Sequence, residues 1–284
     1  MKIKIVKINY RIICILIILT LIFFTFYFYQ CVDAQPDNSI KVPIIMYHSI
    51  LKDSSKCGKY VITPSLFEED LKYITQKGYT TITMNELISY VYYDTPLPKK
   101  PIIITFDDGY YNNLTYAVPL LEKYKCKAVI SIVGKYTDTY TDSDEANTNY
   151  SYLRWKDVEN LIQKGTIEFQ NHTYNMHSTS SRKGCMKKVT ESLSSYEEAL
   201  TEDILKLQQE FFFYTGYIPT TFTYPYGSIS KASIEIIKKL GFKSSLSCNA
   251  GVNYITKDAN CLYLLKRNNR PANTSPENFF KDLL

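Results

Sequence analysis

Short apolar runs alternate along this chain with longer stretches whose apolar positions recur at helical spacing. Val42-Pro43-Ile44-Ile45-Met46-Tyr47-His48 reads as a strand that ends in a histidine. Thr63-Pro64-Ser65 opens a helix with Phe67, Leu71 and Ile74 on one face, and Gly78 closes it. A β-rich run over Tyr79–Ile82 leads into a second helix at Met84–Ile88. Ile102-Ile103-Ile104-Thr105-Phe106 has the continuous apolar character of a central strand, and it stops abruptly at Asp107-Asp108-Gly109-Tyr110. Next come a helix from Asn112 to Lys125 with Pro119 as a point of kinking, and a strand from Lys127 to Val133. The polar residues 137–150, rich in Thr, Asp and Asn, read as a loop. Beyond it lie a helix at Trp155–Lys164, a strand at Thr166–Gln170 and a long helix at Ser192–Tyr214. The pattern ends with a strand at Thr220–Tyr224, a helix at Ser230–Leu240 stopped by Gly241, and strands at Phe242–Leu246 and Cys261–Leu265. This alternation predicts an α/β fold, with a mainly parallel sheet or a barrel.

The first residues break the pattern. From Ile12 to Tyr29 the chain is apolar except at Thr20 and Thr25, and Lys2, Lys4, Lys7 and Arg11 precede it. The run is at the low end for a membrane span and long for a signal-peptide core. Both readings stay open, with Val32-Asp33-Ala34 offering small residues for cleavage, and both put the remainder of the chain outside the cytoplasm. A lipidated Cys31 is the weaker reading, since Phe28-Tyr29-Gln30 lacks the small residues that precede such a cysteine. The expected division is a basic cytoplasmic segment at 1–11, an anchor or signal core at 12–29, a polar linker at 30–41 and one folded domain at 42–284. The anchor would make the membrane a partner.

The net charge of +5 carries no basic tract, which argues against a nucleic-acid partner. Seven cysteines without paired spacing are not a disulfide framework, although Cys248 and Cys261 are close enough in sequence to bridge. The 26 tyrosines suit either core packing or stacking on sugar rings.

Candidate chemistry sits at predicted strand ends. Asp107 and Asp108 are adjacent carboxylates, which repel unless something cationic joins them. The chain has three histidines, His48, His172 and His177. A spacing of five puts His172 and His177 about 140° apart on a helix, so a shared metal would have to be held from a loop or a strand end. Two imidazoles and one carboxylate with an open position form a catalytic metal set, and the second aspartate is then free as a base. Thr223-Tyr224-Pro225-Tyr226-Gly227-Ser228 is a strand entering a turn that can aim a backbone N–H into a site.

In order and spacing, Thr105-Phe106-Asp107-Asp108-Gly109, His172-Thr173 with His177, and Tyr224-Pro225-Tyr226-Gly227 resemble the motifs of NodB-type polysaccharide deacetylases, carbohydrate esterase family 4. The opening Pro43–His48 segment and the five-residue histidine spacing resemble the poly-N-acetylglucosamine branch of that family. The resemblance covers about residues 42–270. It implies a distorted (β/α) barrel of fewer than eight units, acting as a monomer that removes N-acetyl groups from a surface polysaccharide. Asp108, His172 and His177 would bind a divalent metal, usually zinc. Asp107 would be the general base, Tyr226 would give its backbone N–H to the oxyanion, and His48 would be the general acid. Two positions depart from the family pattern. An arginine that orients the base is replaced by Thr223, with Arg267 as the substitute, and no histidine follows His177 to form a late Leu-x-His motif. The competing readings are an O-acetyl esterase on acetylated glycan, a surface glycan-binding protein without catalysis, and an iron site for oxygen chemistry.

Overall fold

Strands buried along their whole length need cover on both faces, and the chain supplies it by interleaving helices. The protein, seen in a computed structural model, is described at residues 16–23 and 39–284. Residues 16–23 are helical with exposed side chains, and they fall inside the apolar run at 12–29. The rest of that run, the basic segment before it and residues 30–38 of the expected linker lie outside the described residues. Among the described residues no helix is long and apolar enough to cross a membrane.

Residues 40–284 form one compact unit. The strands are β1 (Ile40–Val42), β2 (Ile44–Tyr47), β3 (Ser49–Ile50), β4 (Val61–Ile62), β5 (Thr80–Thr81), β6 (Pro101–Asp108), β7 (Ala128–Ile132), β8 (Ile167–Asn171), β9 (Thr221–Thr223), β10 (Ser244–Leu246), β11 (Asn253–Ile255) and β12 (Asn268–Asn269). The helices are α1 (Pro64–Gln76), α2 (Met84–Tyr93), α3 (Val118–Lys123), α4 (Gly134–Ser143), α5 (Trp155–Lys164), α6 (Leu193–Thr215), α7 (Lys231–Lys239) and α8 (Pro276–Phe280).

The main sheet is parallel, in the order β10-β9-β8-β7-β6-β2-β12, and β5 joins the start of β6. Its two edges meet. Leu265, just before β12, forms a parallel bridge with Leu246 of β10. Its N–H donates to Ser245 O at 2.9 Å and its carbonyl accepts from Ser247 N at 2.9 Å. The sheet therefore curls into a barrel of the (β/α) type, closed by a short seam. Along β6 the side chains alternate between faces. Ile103 packs with Ile44, Val129, Leu246 and Leu265 on the inner side. Ile102, Ile104 and Phe106 pack outward against Phe67, Leu71 and Trp155. Thr105 and Asp107 share the face of Ile103 and are buried.

Three local expectations change. The polar stretch at 137–150 is not all loop, because α4 runs to Ser143. Its hydroxyls and carboxylates satisfy other elements. Thr141 Oγ1 accepts from Trp155 N at 2.9 Å, and Asp138 Oδ1 accepts from Trp155 Nε1 at 2.9 Å. Tertiary hydrogen bonds thus outweigh the weak helix propensity of Thr and Asp. The helix expected at Asn112–Lys125 begins as a wide π turn at Asn113–Ala117 and becomes α3 at Val118. Pro119 has no N–H to donate back along the helix, and the wide turn absorbs that loss. Of the strand expected at Cys261–Leu265, only Leu265 pairs, and Ala259–Leu262 is a 3-10 turn.

Candidate active site

β6 ends at the mouth of the barrel, where the carboxyl ends of parallel strands gather ligand-binding residues. Asp107 keeps the strand alternation and points inward. Asp108 has φ 70°, in the left-handed region that Asp tolerates better than most residues, and this turns its carboxylate toward the same cavity. Gly109 follows at φ 78°, and a Cβ there would sit 2.8 Å from Ile132 Cγ2. The Asp-Asp-Gly sequence is therefore a turn that only glycine can finish, with two acids aimed into one space.

Arg267 meets Asp107. It comes from the barrel seam beside β12, is completely buried, and spans the carboxylate with Nη1 to Oδ1 at 2.6 Å and Nη2 to Oδ2 at 2.8 Å. Its Nε donates to Ser247 O at 2.8 Å, and Nη1 also reaches Thr105 Oγ1 at 3.3 Å. Such a two-point contact fixes orientation as well as charge. Burial works against ionisation of Asp107, but the Arg267 guanidinium, the largest opposing influence, helps hold the carboxyl below its ordinary range.

Asp108 faces two imidazoles. His172 directly follows β8, and its Nδ1–H donates to Thr223 O at 2.8 Å. Thr223, which stands where the family pattern has an arginine, thus orients a histidine instead. His177 lies five residues on, and its Nδ1 pairs with Tyr226 Oη at 3.1 Å. Both Nδ1 atoms are engaged, so both Nε2 atoms face Asp108 Oδ1, at 3.5 Å from His172 and 3.0 Å from His177. Neither approach is a well-formed hydrogen bond, and Asp108 Oδ1 is buried without a partner. The three donor atoms lie within 4.8 Å of one another. Two oriented imidazoles and an orphaned carboxylate oxygen are a donor set that fits a divalent cation. Burial opposes the charge on Asp108, and the two imidazoles still hold its carboxyl far below its ordinary value.

His48 follows β2 and lines the cavity beside these groups. Its carbonyl accepts from Asn113 Nδ2 at 2.8 Å, and its ring packs on Tyr60 at 4.7 Å between centroids. Nδ1 is buried without a partner, and burial holds the ring below the ordinary histidine range. Its resting form is therefore neutral. Tyr226, at φ 57° in the 3-10 turn Pro225–Gly227, lines the cavity. All seven residues singled out in the sequence thus come together around one cavity of about 600 Å³, six in its lining and Arg267 behind Asp107. The sequence reading overlooked Lys59, Tyr60, Lys183 and Cys248, which also line it. Nothing local marks these four, although Tyr110, another lining residue, directly follows the Asp-Asp-Gly turn. Cys248 and Cys261 are both free thiols, so no bridge joins them.

A model of the polysaccharide deacetylase family matches residues 94–245. The chain belongs to the polysaccharide deacetylase family. The match includes Asp107, Asp108, His172, His177 and Tyr226, whereas His48 and Arg267 lie outside it. Among the curated relatives, the poly-beta-1,6-N-acetyl-D-glucosamine N-deacetylase of Escherichia coli is 24% identical over 227 residues, covering 73% of this chain and 34% of the relative. The Staphylococcus aureus protein of the same name is 26% identical over 219 residues, covering 74% of this chain and 68% of that protein. The chain thus spans about a third of the length of the Escherichia coli relative. Among solved structures, the Streptococcus pyogenes deacetylase PplD in complex with acetate superposes with a TM-score of 0.71 at 22% identity, covering 87% of this chain and all of that one. IcaB from Ammonifex degensii superposes with a TM-score of 0.67 at 23% identity, covering 86% and 94%. These likenesses identify the curled barrel as the deacetylase fold.

Proposed function

We propose that this deacetylase-family chain hydrolyses N-acetyl groups of a polysaccharide containing N-acetylglucosamine, with zinc as its divalent metal, and outside the cytoplasm. The observation that carries the reading is the cluster of Asp108, His172 and His177 directly beside an Asp107 locked by Arg267. The names of the Escherichia coli and Staphylococcus aureus relatives support the substrate class, and action on such a polymer supports an extracytoplasmic location. The basic and apolar start of the sequence fits export as an anchor or a cleaved signal.

In this reading Asp108, His172 and His177 hold the metal. When bound, it supplies Lewis acidity to the acetyl carbonyl and lowers the pKa of water in the site. Asp107 takes the proton of the attacking water, and Arg267 keeps that carboxylate ionised and oriented. The Tyr226 N–H stabilises the tetrahedral oxyanion, a contribution typically worth about 3 kcal/mol of barrier. His48, neutral at rest, takes a proton from solvent and gives it to the departing amine, and Asp107 returns the water's proton to solvent. A free amine and acetate are the products.

The test is to incubate the purified protein with N-acetylglucosamine oligomers and to measure acetate and free amine, with and without a chelator. Stoichiometric acetate and amine, lost on chelation and restored by zinc, are expected. Release of acetate from O-acetylated but not N-acetylated glycans would replace this reading with the esterase one.

A further inference from the structure

Four charged side chains line the cavity, and two of them balance locally. Asp107 is matched by Arg267, and Asp108 faces two imidazoles. The other two, Lys59 and Lys183, are exposed at the rim and form no ion pair with a carboxylate among the described residues. Each is carried on an anchored backbone. Lys59 O accepts from Asn269 Nδ2 at 2.7 Å, and Gly58 on one side donates to Val61 O at 2.9 Å. Lys183 precedes Gly184, which has φ 51° and lies so close to the Pro225–Gly227 turn that a Cβ would meet Pro225 O at 2.6 Å. Gly184 N also donates to Ser178 O at 2.9 Å, and the buried Cys185 that follows gives its carbonyl to Tyr196 Oη at 2.6 Å. Lys59 lies over the half-exposed Tyr60 ring at 5.0 Å, and Gly184, next to Lys183, abuts Pro225, which immediately precedes the half-exposed Tyr226 in the same turn. A ring face stacks on the apolar face of a sugar, and an ammonium beside it reads what that sugar carries.

Resting on the deacetylase reading, we propose that Lys59 and Lys183 are specificity-determining residues that make this site select glycans by charge, favouring N-acetylated polysaccharide that bears carboxylate groups over neutral polymer, and neutral polymer over stretches that already carry free amines. The physical reason is the sign of the fixed charge. A carboxylate on a bound or neighbouring sugar is attracted to the two ammonium groups. A free amine is protonated near neutral pH and is repelled, so sites next to one already deacetylated are handled poorly. The lysines are exposed, so the selection weakens with salt.

The experiment compares kcat/KM for three oligosaccharide sets: carboxylate-bearing peptidoglycan glycan fragments, fully N-acetylated neutral oligomers, and half-deacetylated oligomers. It uses the wild type, Lys59→Gln, Lys183→Gln and the double variant, at low and high salt. The wild type should prefer the first set over the third by about tenfold at low salt, mostly through KM. The double variant should compress that ratio to about twofold, as should high salt. The same ranking should appear in equilibrium binding to Asp107→Asn, which separates recognition from turnover. Turnover with an unchanged ranking in the double variant would overturn the charge selection alone. Binding ranked by charge, with acetate released by the wild type from none of the sets, would overturn the deacetylase reading and leave the selection standing.

Discussion

Two buried aspartate–arginine pairs hang from one short stretch of chain, on either side of β12. Arg267 grips Asp107 at the cavity, and Arg270 grips Asp70 of α1 through Nε to Oδ2 at 2.8 Å and Nη2 to Oδ1 at 2.9 Å. Both arginines are essentially inaccessible. Their surroundings differ. Arg270 spends its remaining donors on Pro271 O and Thr274 O, and Tyr47 Oη donates to Asp70 Oδ2 at 3.0 Å. This cluster is closed and ties the end of the chain to α1 and β2. There burial dominates and leaves the Asp70 carboxyl above its ordinary value despite the guanidinium. At Asp107 the guanidinium of Arg267 is the largest influence opposing burial, and the carboxyl lies below its ordinary range. The same two-point contact thus belongs to a closed cluster at Asp70 and to a carboxylate that opens on the cavity at Asp107.

The contrast breaks most sharply at the metal side of the cavity. Asp108→Ala or His172→Ala should lose both the bound divalent metal and all measurable deacetylation, as read by metal analysis and acetate release, while the fold persists by circular dichroism. Next come the two arginines. Arg267→Met and Arg270→Met each leave a buried carboxylate unpaired, and each should cost roughly 3–5 kcal/mol of stability in urea unfolding. They should differ in activity per folded molecule, with Arg267→Met losing at least about a hundredfold and Arg270→Met staying within about threefold. Equal losses of activity would erase the distinction between the two pairs.

A half-buried carboxylate sharpens the comparison with a smaller effect. Glu210 on α6 has no guanidinium, faces Asp138, and has Lys206 at 4.0 Å. Burial and then Asp138 push its carboxyl up to about 7. A carboxyl raised in the folded state contributes stability when protonated, and that contribution is lost as pH rises from its ordinary range toward about 7. Thermal unfolding should therefore show Glu210→Gln a few degrees more stable than wild type at pH 8, with the difference vanishing near pH 4.

Much of this site was legible from local pattern. The runs at 101–106 and 127–133 are apolar because those strands are covered on both faces. Asp107 and Asp108 stand out because they interrupt an apolar strand at its end, a placement that packing alone does not require, and His172 because it directly follows a strand. The pairing of Arg267 with Asp107 was nameable only through the resemblance, since 160 residues separate them and β12 has two residues, too few for any periodic signal. Helix α4 stayed hidden because its polar residues are used by Trp155 and Tyr174, which lie elsewhere in the chain. Lys59 and Lys183 carry no local mark at all. Only the anchored turns that hold them bring them to the cavity.

The division of labour between the adjacent acids is open to one direct measurement, acetate release and bound metal determined together for Asp107→Asn. The substitution keeps the shape of the side chain and leaves Asp108, His172 and His177 untouched. It should retain one equivalent of metal and lose about a thousandfold in turnover. Wild-type turnover by this variant, or loss of its metal, would contradict the assignment of Asp107 to the water and Asp108 to the metal.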